Sequence, residues 1–156
     1  MLQELPCSIC VGRGSGSVSG EREERSALIV YRLEQADESL GAAHLLLREK
    51  TLRSCINRAY YAMFYCVLAL LASQDLKSRK HTGAIDLFDR QFVKTSEFEK
   101  SFSRWLHEAF DLRGRSDYLE MFEISDNRAR GIVEQAEKFV AATRDYLAAK
   151  GWIKSR

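Results

Sequence analysis

Over residues 24–50 apolar side chains recur at alternating steps of three and four: Ile29, Leu33, Ala36, Leu40, Ala43 and Leu47. That period draws one apolar stripe along a helix and leaves the charged residues between facing water. The second segment, 54–73, contains NRAYYAMFYCVLALL from Asn57 to Leu71, apolar on nearly every side yet carrying an arginine and three tyrosines. A helix that must hide all its faces belongs at the centre of a bundle. The polar link 74–80 has only Leu76 as an apolar anchor and reads as an exposed loop. A third helix is predicted over 81–93, with Ile85, Phe88 and Phe92 on one face. Thr95 or Ser96 then offers a cap for a fourth over 97–112, whose inner stripe is Phe98, Phe102, Trp105, Leu106 and Ala109. Gly114 breaks that pattern. A last helix starts at Ser125, with Asp126 in its first turn, and runs to Lys150 with Ile132, Ala136, Phe139, Thr143 and Tyr146 inward.

Long amphipathic helices joined by short links predict an all-α, antiparallel up-and-down bundle of four to five helices. Residues 1–20 hold much of the glycine and neither period of regular structure, so they read as a flexible leader before a bundle domain over 21–156. Five helices leave the all-round apolar 57–71 segment short of cover, which predicts a second copy against it and hence a symmetric homodimer.

Composition agrees. The 156-residue chain is 46% hydrophobic and 29% charged, enough for one domain with a real core, and Pro6 is its single proline. No run approaches the ~20 apolar residues that span a bilayer, and the first residues lack the order of a secretion signal, so a cytoplasmic protein without membrane contact is expected. Of four cysteines, Cys55 and Cys66 fall in the central helix as small hydrophobes. Cys7 and Cys10 are spaced as half a zinc site or a redox pair, but nothing completes a tetrahedral set and no strand-helix context surrounds them, so neither metal nor cofactor is expected.

The net charge of +2 argues nothing by itself, but its arrangement does. Arg48, Lys50, Arg53 and Arg58 form one basic group, Lys77, Arg79, Lys80 and His81 another, and Arg113 with Arg115 a third. Converging in space, they would suit a polyanion; apart, they are solvated helix ends. Arg58 is placed to bind phosphate or to snorkel from an apolar face. Tyr61 and Tyr65 share its side of the helix, either to stack on a base or to fill the core. His81 opens a helix after a basic loop, where anions are favoured. Arg113 either contacts phosphate or completes a helix end through Asp117. His44 and His107 read as surface residues of amphipathic helices.

Several ordered blocks carry a family resemblance: Asn57-Arg58-x-Tyr60-Tyr61-Ala62-Met63-Phe64-Tyr65 with Ala69-Leu70-Leu71, His81-x-Gly83, Phe92-Val93-Lys94-Thr95, and Leu112-Arg113-x-x-x-Asp117-Tyr118. Over residues 28–147 the chain resembles the small bacterial and archaeal branch of the HEPN (higher eukaryotes and prokaryotes nucleotide-binding) superfamily. The resemblance implies a dimeric helical bundle, paired with a minimal nucleotidyltransferase in a toxin-antitoxin module. It also implies a metal-independent ribonuclease in those members that carry an arginine, four to six residues, then a histidine. There a guanidinium steadies the phosphate's added charge and an imidazole moves the 2′-hydroxyl proton.

This chain departs from that motif. No histidine follows an arginine at the required distance, and Arg113-Gly-Arg-Ser-Asp117-Tyr118 places tyrosine where histidine is expected. Two readings follow. In the first the chain binds nucleotide or RNA through Arg58, Tyr61, Tyr65, His81, Arg113 and Asp117, docks a nucleotidyltransferase, and does no chemistry. In the second it is a ribonuclease toxin with Arg113 on the phosphate and His81 or Tyr118 moving the proton. The missing motif favours the first.

Overall fold

The structure is a computed structural model that describes residues 17–118 and 123–155, with 116–118 described by backbone alone. Its α-helices are α1 (Val18–Arg48), α2 (Leu52–Ser73), α3 (His81–Phe88), α4 (Lys100–Tyr118) and α5 (Asp126–Ala149). The expected helical bundle is what forms. Helix α2 lies at its centre and packs against each of the other four, while α1 and α5 also pack against one another.

The cover that α2 needs comes from its own chain. From Cys55 to Ala72 the buried positions include Ile56, Ala59, Tyr60, Met63, Cys66, Val67 and Leu70. What stays partly open is one stripe, Asn57, Arg58, Tyr61, Tyr65 and Leu68, at helical steps along one side. The premise that five helices fall short of covering α2 is thereby corrected. So is the expectation about apolar length: α2 is long and apolar enough, by length and composition, to cross a membrane. It is 72% buried in that window, as the core helix of a bundle is.

Helix ends follow capping chemistry, and here the sequence reading needs its other corrections. Helix α1 begins at Val18, not residue 24, because Ser17 caps it by accepting a hydrogen bond from the Gly20 amide and Glu21 supplies a favourable charge in the first turn. Residues 1–16 of the expected leader, with Cys7 and Cys10, lie outside the described residues. Helices α1 and α2 both close with a left-handed residue, Lys50 (φ 59) and Asp75 (φ 58). In each case two backbone bonds fold back, Thr51 to Leu46 and Lys50 to Leu47 in the first, Leu76 to Leu71 and Asp75 to Ala72 in the second. This Schellman arrangement tucks Leu76 against the core, so the one apolar residue of the link does anchor it.

The third helical segment is α-helical only to Phe88, then widens into a π-helical turn over Asp89–Val93. Thr95 and Ser96 are not caps for α4. The Thr95 hydroxyl donates back to the Gln91 carbonyl, Ser96 is left-handed (φ 62), and α4 starts later, at Lys100. Gly114 does not end that helix, which continues to Tyr118. Glycine costs roughly 1 kcal/mol inside a helix, and flanking packing readily outweighs that. Ser125 caps α5 by accepting from the Arg128 amide, as its position suggested.

Two aromatic clusters fill the interior. At one end Phe88, Phe92, Phe98, Phe102, Phe139 and Tyr146 meet with ring centroids about 5–6.5 Å apart. The other is built around Tyr60 and carries charge.

Candidate phosphate-binding site

Three helices deliver the charged cluster. On α2 the steps 58, 61, 65 form the partly open stripe, and Tyr60 and Phe64, four apart, form the buried row beside it. From α4, Phe110 and Arg113 approach the same row. From α3 comes His81, its first residue.

Gly83 explains how His81 reaches this place. A Cβ at Gly83 would stand 2.5 Å from the Ser78 hydroxyl oxygen, closer than carbon and oxygen can approach. With glycine there, the link folds against the first turn of α3, where the Ser78 hydroxyl donates to the Lys80 carbonyl at 2.9 Å. Glycine in the His-x-Gly spacing thus leaves room for the Ser78 hydroxyl, which an added Cβ would displace.

The His81 ring stacks on Phe64 with centroids 4.2 Å apart and planes 13° from parallel, and meets Tyr61 edge-on at 5.9 Å. Its Nδ1 is 2.9 Å from the hydroxyl of Tyr60. The Arg113 guanidinium lies 5.4 Å from the centre of the Tyr60 ring and 5.2 Å from that of Tyr61. The Arg58 guanidinium is 5.1 Å from the Tyr61 ring and donates to the Asn57 amide oxygen at 3.0 Å. Both guanidiniums therefore lie within cation–π distance of the Tyr61 ring. Tyr65 neighbours Tyr61 at 5.9 Å.

The electrostatics are those of a partly dry, positive site. Burial, and then the nearby Arg113, hold the His81 imidazole below its ordinary pKa, so it is neutral at pH 7. Burial pushes the Tyr60 phenol well above its usual range; Arg113 opposes the shift and Tyr61 adds to it. Tyr60 therefore keeps its proton.

Of the residues expected to form the site, Arg58, Tyr61, Tyr65, His81 and Arg113 do come together. Asp117 and Tyr118 lie at the end of α4, and their side chains are outside the described ones. The wider basic groups do not all gather: Lys50 bonds Asp126 at the start of α5, and Lys77, Arg79 and Lys80 are exposed on the link. His44 and His107 are exposed and pair with Glu137 and Asp89, each at 2.7 Å. Sequence reasoning missed Tyr60, Phe64 and Phe110 as parts of the site. The Tyr60-Tyr61 doublet was the available signal, since adjacent helical residues point to different faces and one of the two had to turn inward. Among the described residues no three His, Cys, Asp or Glu side chains gather as a metal site.

Comparison with known proteins adds the family. The chain is 32% identical over 122 residues to "Putative toxin MJ0142" of Methanocaldococcus jannaschii, covering 78% of this chain and 83% of that protein. It is 37% identical over 119 residues to a UPF0332 protein of Thermotoga maritima, 76% of this chain and 90% of the other. "Putative toxin MJ0605" of M. jannaschii is likewise 37% identical over 119 residues, 76% of this chain and 85% of that one. The HEPN domain profile matches residues 29–146, from the first core residue of α1 to the last turns of α5, and the chain belongs to the HEPN domain family.

Proposed function

We propose that this HEPN protein binds the phosphate of a nucleotide or RNA at the Arg58–His81–Arg113 cluster, and that it performs no chemistry of its own. The observation that carries this is the meeting of two guanidiniums from different helices around Tyr61, with a neutral histidine beside them. Guanidiniums fork readily onto phosphate oxygens, and the partly open Tyr61 and Tyr65 offer stacking to a base. Within the module that the family resemblance implies, the chain would be the toxin-side subunit beside a minimal nucleotidyltransferase, in the cytoplasm. Its free, buried thiols, with Cys55 pushed up to about 11 and Cys66 to about 12 by burial, suit a reducing compartment.

The homodimer belongs to this reading on new grounds. The open stripe of α2, Arg58 to Leu68, is the natural seat for a second copy, and a two-fold there would bring two sets of cations together. Light scattering at micromolar concentration would give twice the monomer mass; the monomer mass would remove this part.

A second reading, a metal-independent ribonuclease, draws on the nearness of Arg113 to His81. One experiment separates the two: incubation of a mixed RNA pool with the purified protein in EDTA, with binding measured in parallel. RNA or nucleotide bound without cleavage, and bound less by Arg113→Ala, supports the binding module. Cleavage that both Arg113→Ala and His81→Ala abolish would replace it with the nuclease.

A further inference from the structure

Tyr60 lies outside every role considered so far, yet it is a fully buried polar side chain bonded to His81. Its ring is 0% exposed and surrounded by Tyr61, Phe64, Phe110 and His81. Its hydroxyl oxygen lies 2.9 Å from His81 Nδ1, so one of the two atoms must supply the proton.

We infer that Tyr60 is a positioning residue: its hydroxyl donates to Nδ1 of His81 and fixes the neutral imidazole as the Nε2–H tautomer, so His81 offers the site a hydrogen-bond donor. Deepening the phosphate-site reading, the inference rests on it for the identity of the ligand.

Two arguments give the direction of the bond. If Nδ1 carried the proton, the phenolic oxygen would accept it and its own O–H would point into surrounding rings. Burying a donor without an acceptor costs about 1–3 kcal/mol, more than the preference of free imidazole for either tautomer has to overcome. Second, the imidazolium, which would donate from both nitrogens, is disfavoured by burial and by the Arg113 charge. The neutral ring must therefore place its single proton on one nitrogen, and the one facing a buried donor is the one left bare.

The ring's orientation is held as firmly as its proton. Stacking on Phe64 fixes its plane, and a half-turn about the Cβ–Cγ bond, which keeps that plane, would exchange Nδ1 for Cδ2 and break the bond to Tyr60. His81 therefore carries its N–H on Nε2, where an acceptor-rich anion such as phosphate can take it. It does not present the lone pair that a general base needs to take the proton of a 2′-hydroxyl. An Nε2–H favours phosphate oxygens over proton abstraction from a neighbouring hydroxyl.

The test is the two-bond proton–nitrogen NMR spectrum of the uniformly 15N-labelled full chain at pH 7.5, with His81 assigned by its loss in His81→Gln. The expected pattern is a protonated Nε2 and an unprotonated, hydrogen-bonded Nδ1, drifting toward a tautomer mixture in Tyr60→Phe, which keeps the ring and its packing. A protonated Nδ1 in the wild type overturns the inference, as does a pattern that Tyr60→Phe leaves unchanged; if that variant does not fold, the wild-type tautomer alone decides. Inorganic phosphate added to the same sample tests the underlying reading separately. Movement of the Nε2 resonances with phosphate, lost in Arg58→Ala/Arg113→Ala, supports the anion site. No movement with the Nε2–H tautomer intact removes the ligand and leaves the tautomer standing.

Discussion

The two aromatic clusters of this bundle are made of similar rings at similar distances and do different work. Around Phe139, the rings of Phe88, Phe98 and Phe102 pack on one another, and each added contact contributes burial. Around Tyr60, comparable rings surround a hydroxyl, an imidazole and a guanidinium. There the packing also sets proton positions and concentrates positive charge. The lesson is that aromatic density by itself marks a core, and that what distinguishes the second cluster is the hydroxyl and imidazole bonded inside it.

The sharpest break of this contrast is Phe139→Ala. Its ring is 0% exposed, so truncation should cost about 3–5 kcal/mol through the cavity left behind, read as a fall in the urea midpoint, with ligand affinity unchanged in the folded protein. In the charged cluster the order reverses. Arg113→Ala should weaken RNA or nucleotide binding roughly 10- to 100-fold, the worth of about 1.5–3 kcal/mol for a bond to a charged group, while stability falls by about 1 kcal/mol with the lost cation–π contacts. Equal affinities, or a stability loss like that of Phe139→Ala, would make Arg113 a core residue.

The pH dependence follows from His81. Its folded pKa is below the ordinary 6.5, so the unfolded chain takes up a proton first as pH falls. Stability from this group is therefore complete above pH 6.5 and declines as pH drops from 6.5 toward the folded pKa. Among the described residues, Arg113, Tyr60 and Tyr61 are the polar and charged neighbours of the ring, and burial keeps the Tyr60 phenol protonated throughout that window. Chemical denaturation at a series of pH values should show a flatter acid limb for His81→Gln than for wild type; parallel curves would contradict the assignment.

The smallest effect concerns Gly83. Replacement by alanine gains up to roughly 1 kcal/mol of helix propensity but drives a Cβ into Ser78, so the single change should lie within about 1 kcal/mol of wild type. In a Ser78→Ala background the same change should become more favourable, and a double-mutant cycle of thermal melts measures the coupling. A zero coupling would mean that the link does not press on α3.

How far the sequence foretold this arrangement depends on what each feature answers to. The inner stripes of α1, α4 and α5 were legible because burial imposes the helical period on residue type: Ile29, Leu33, Leu106, Ile132 and Phe139 are where the spacing puts them. Helix ends were less so, since Ser96 resembles a cap in composition but adopts a left-handed turn, and Gly114 resembles a breaker but sits inside a helix. Those outcomes depend on tertiary packing that no local window contains. Arg58, His81 and Arg113 were identifiable as candidates one by one. Their meeting was not, because it depends on how α3 and α4 lie across α2, and Tyr60 had no signal beyond its doublet. The cover that α3 and α4 give to α2 could not be counted in advance.

The claim that organises this account is that Arg58 and Arg113 act together on one phosphate-bearing ligand. It is tested most directly by the salt dependence of binding of a fluorescent single-stranded oligoribonucleotide to wild type and to Arg58→Ala/Arg113→Ala, whose fold is checked by its thermal melt. Each phosphate contact contributes about 0.7 to the slope of log affinity against log salt for a single strand, so the double variant should bind more weakly and lose about 0.7–1.4 of that slope. A double variant that keeps both the affinity and the slope of the wild type would contradict it.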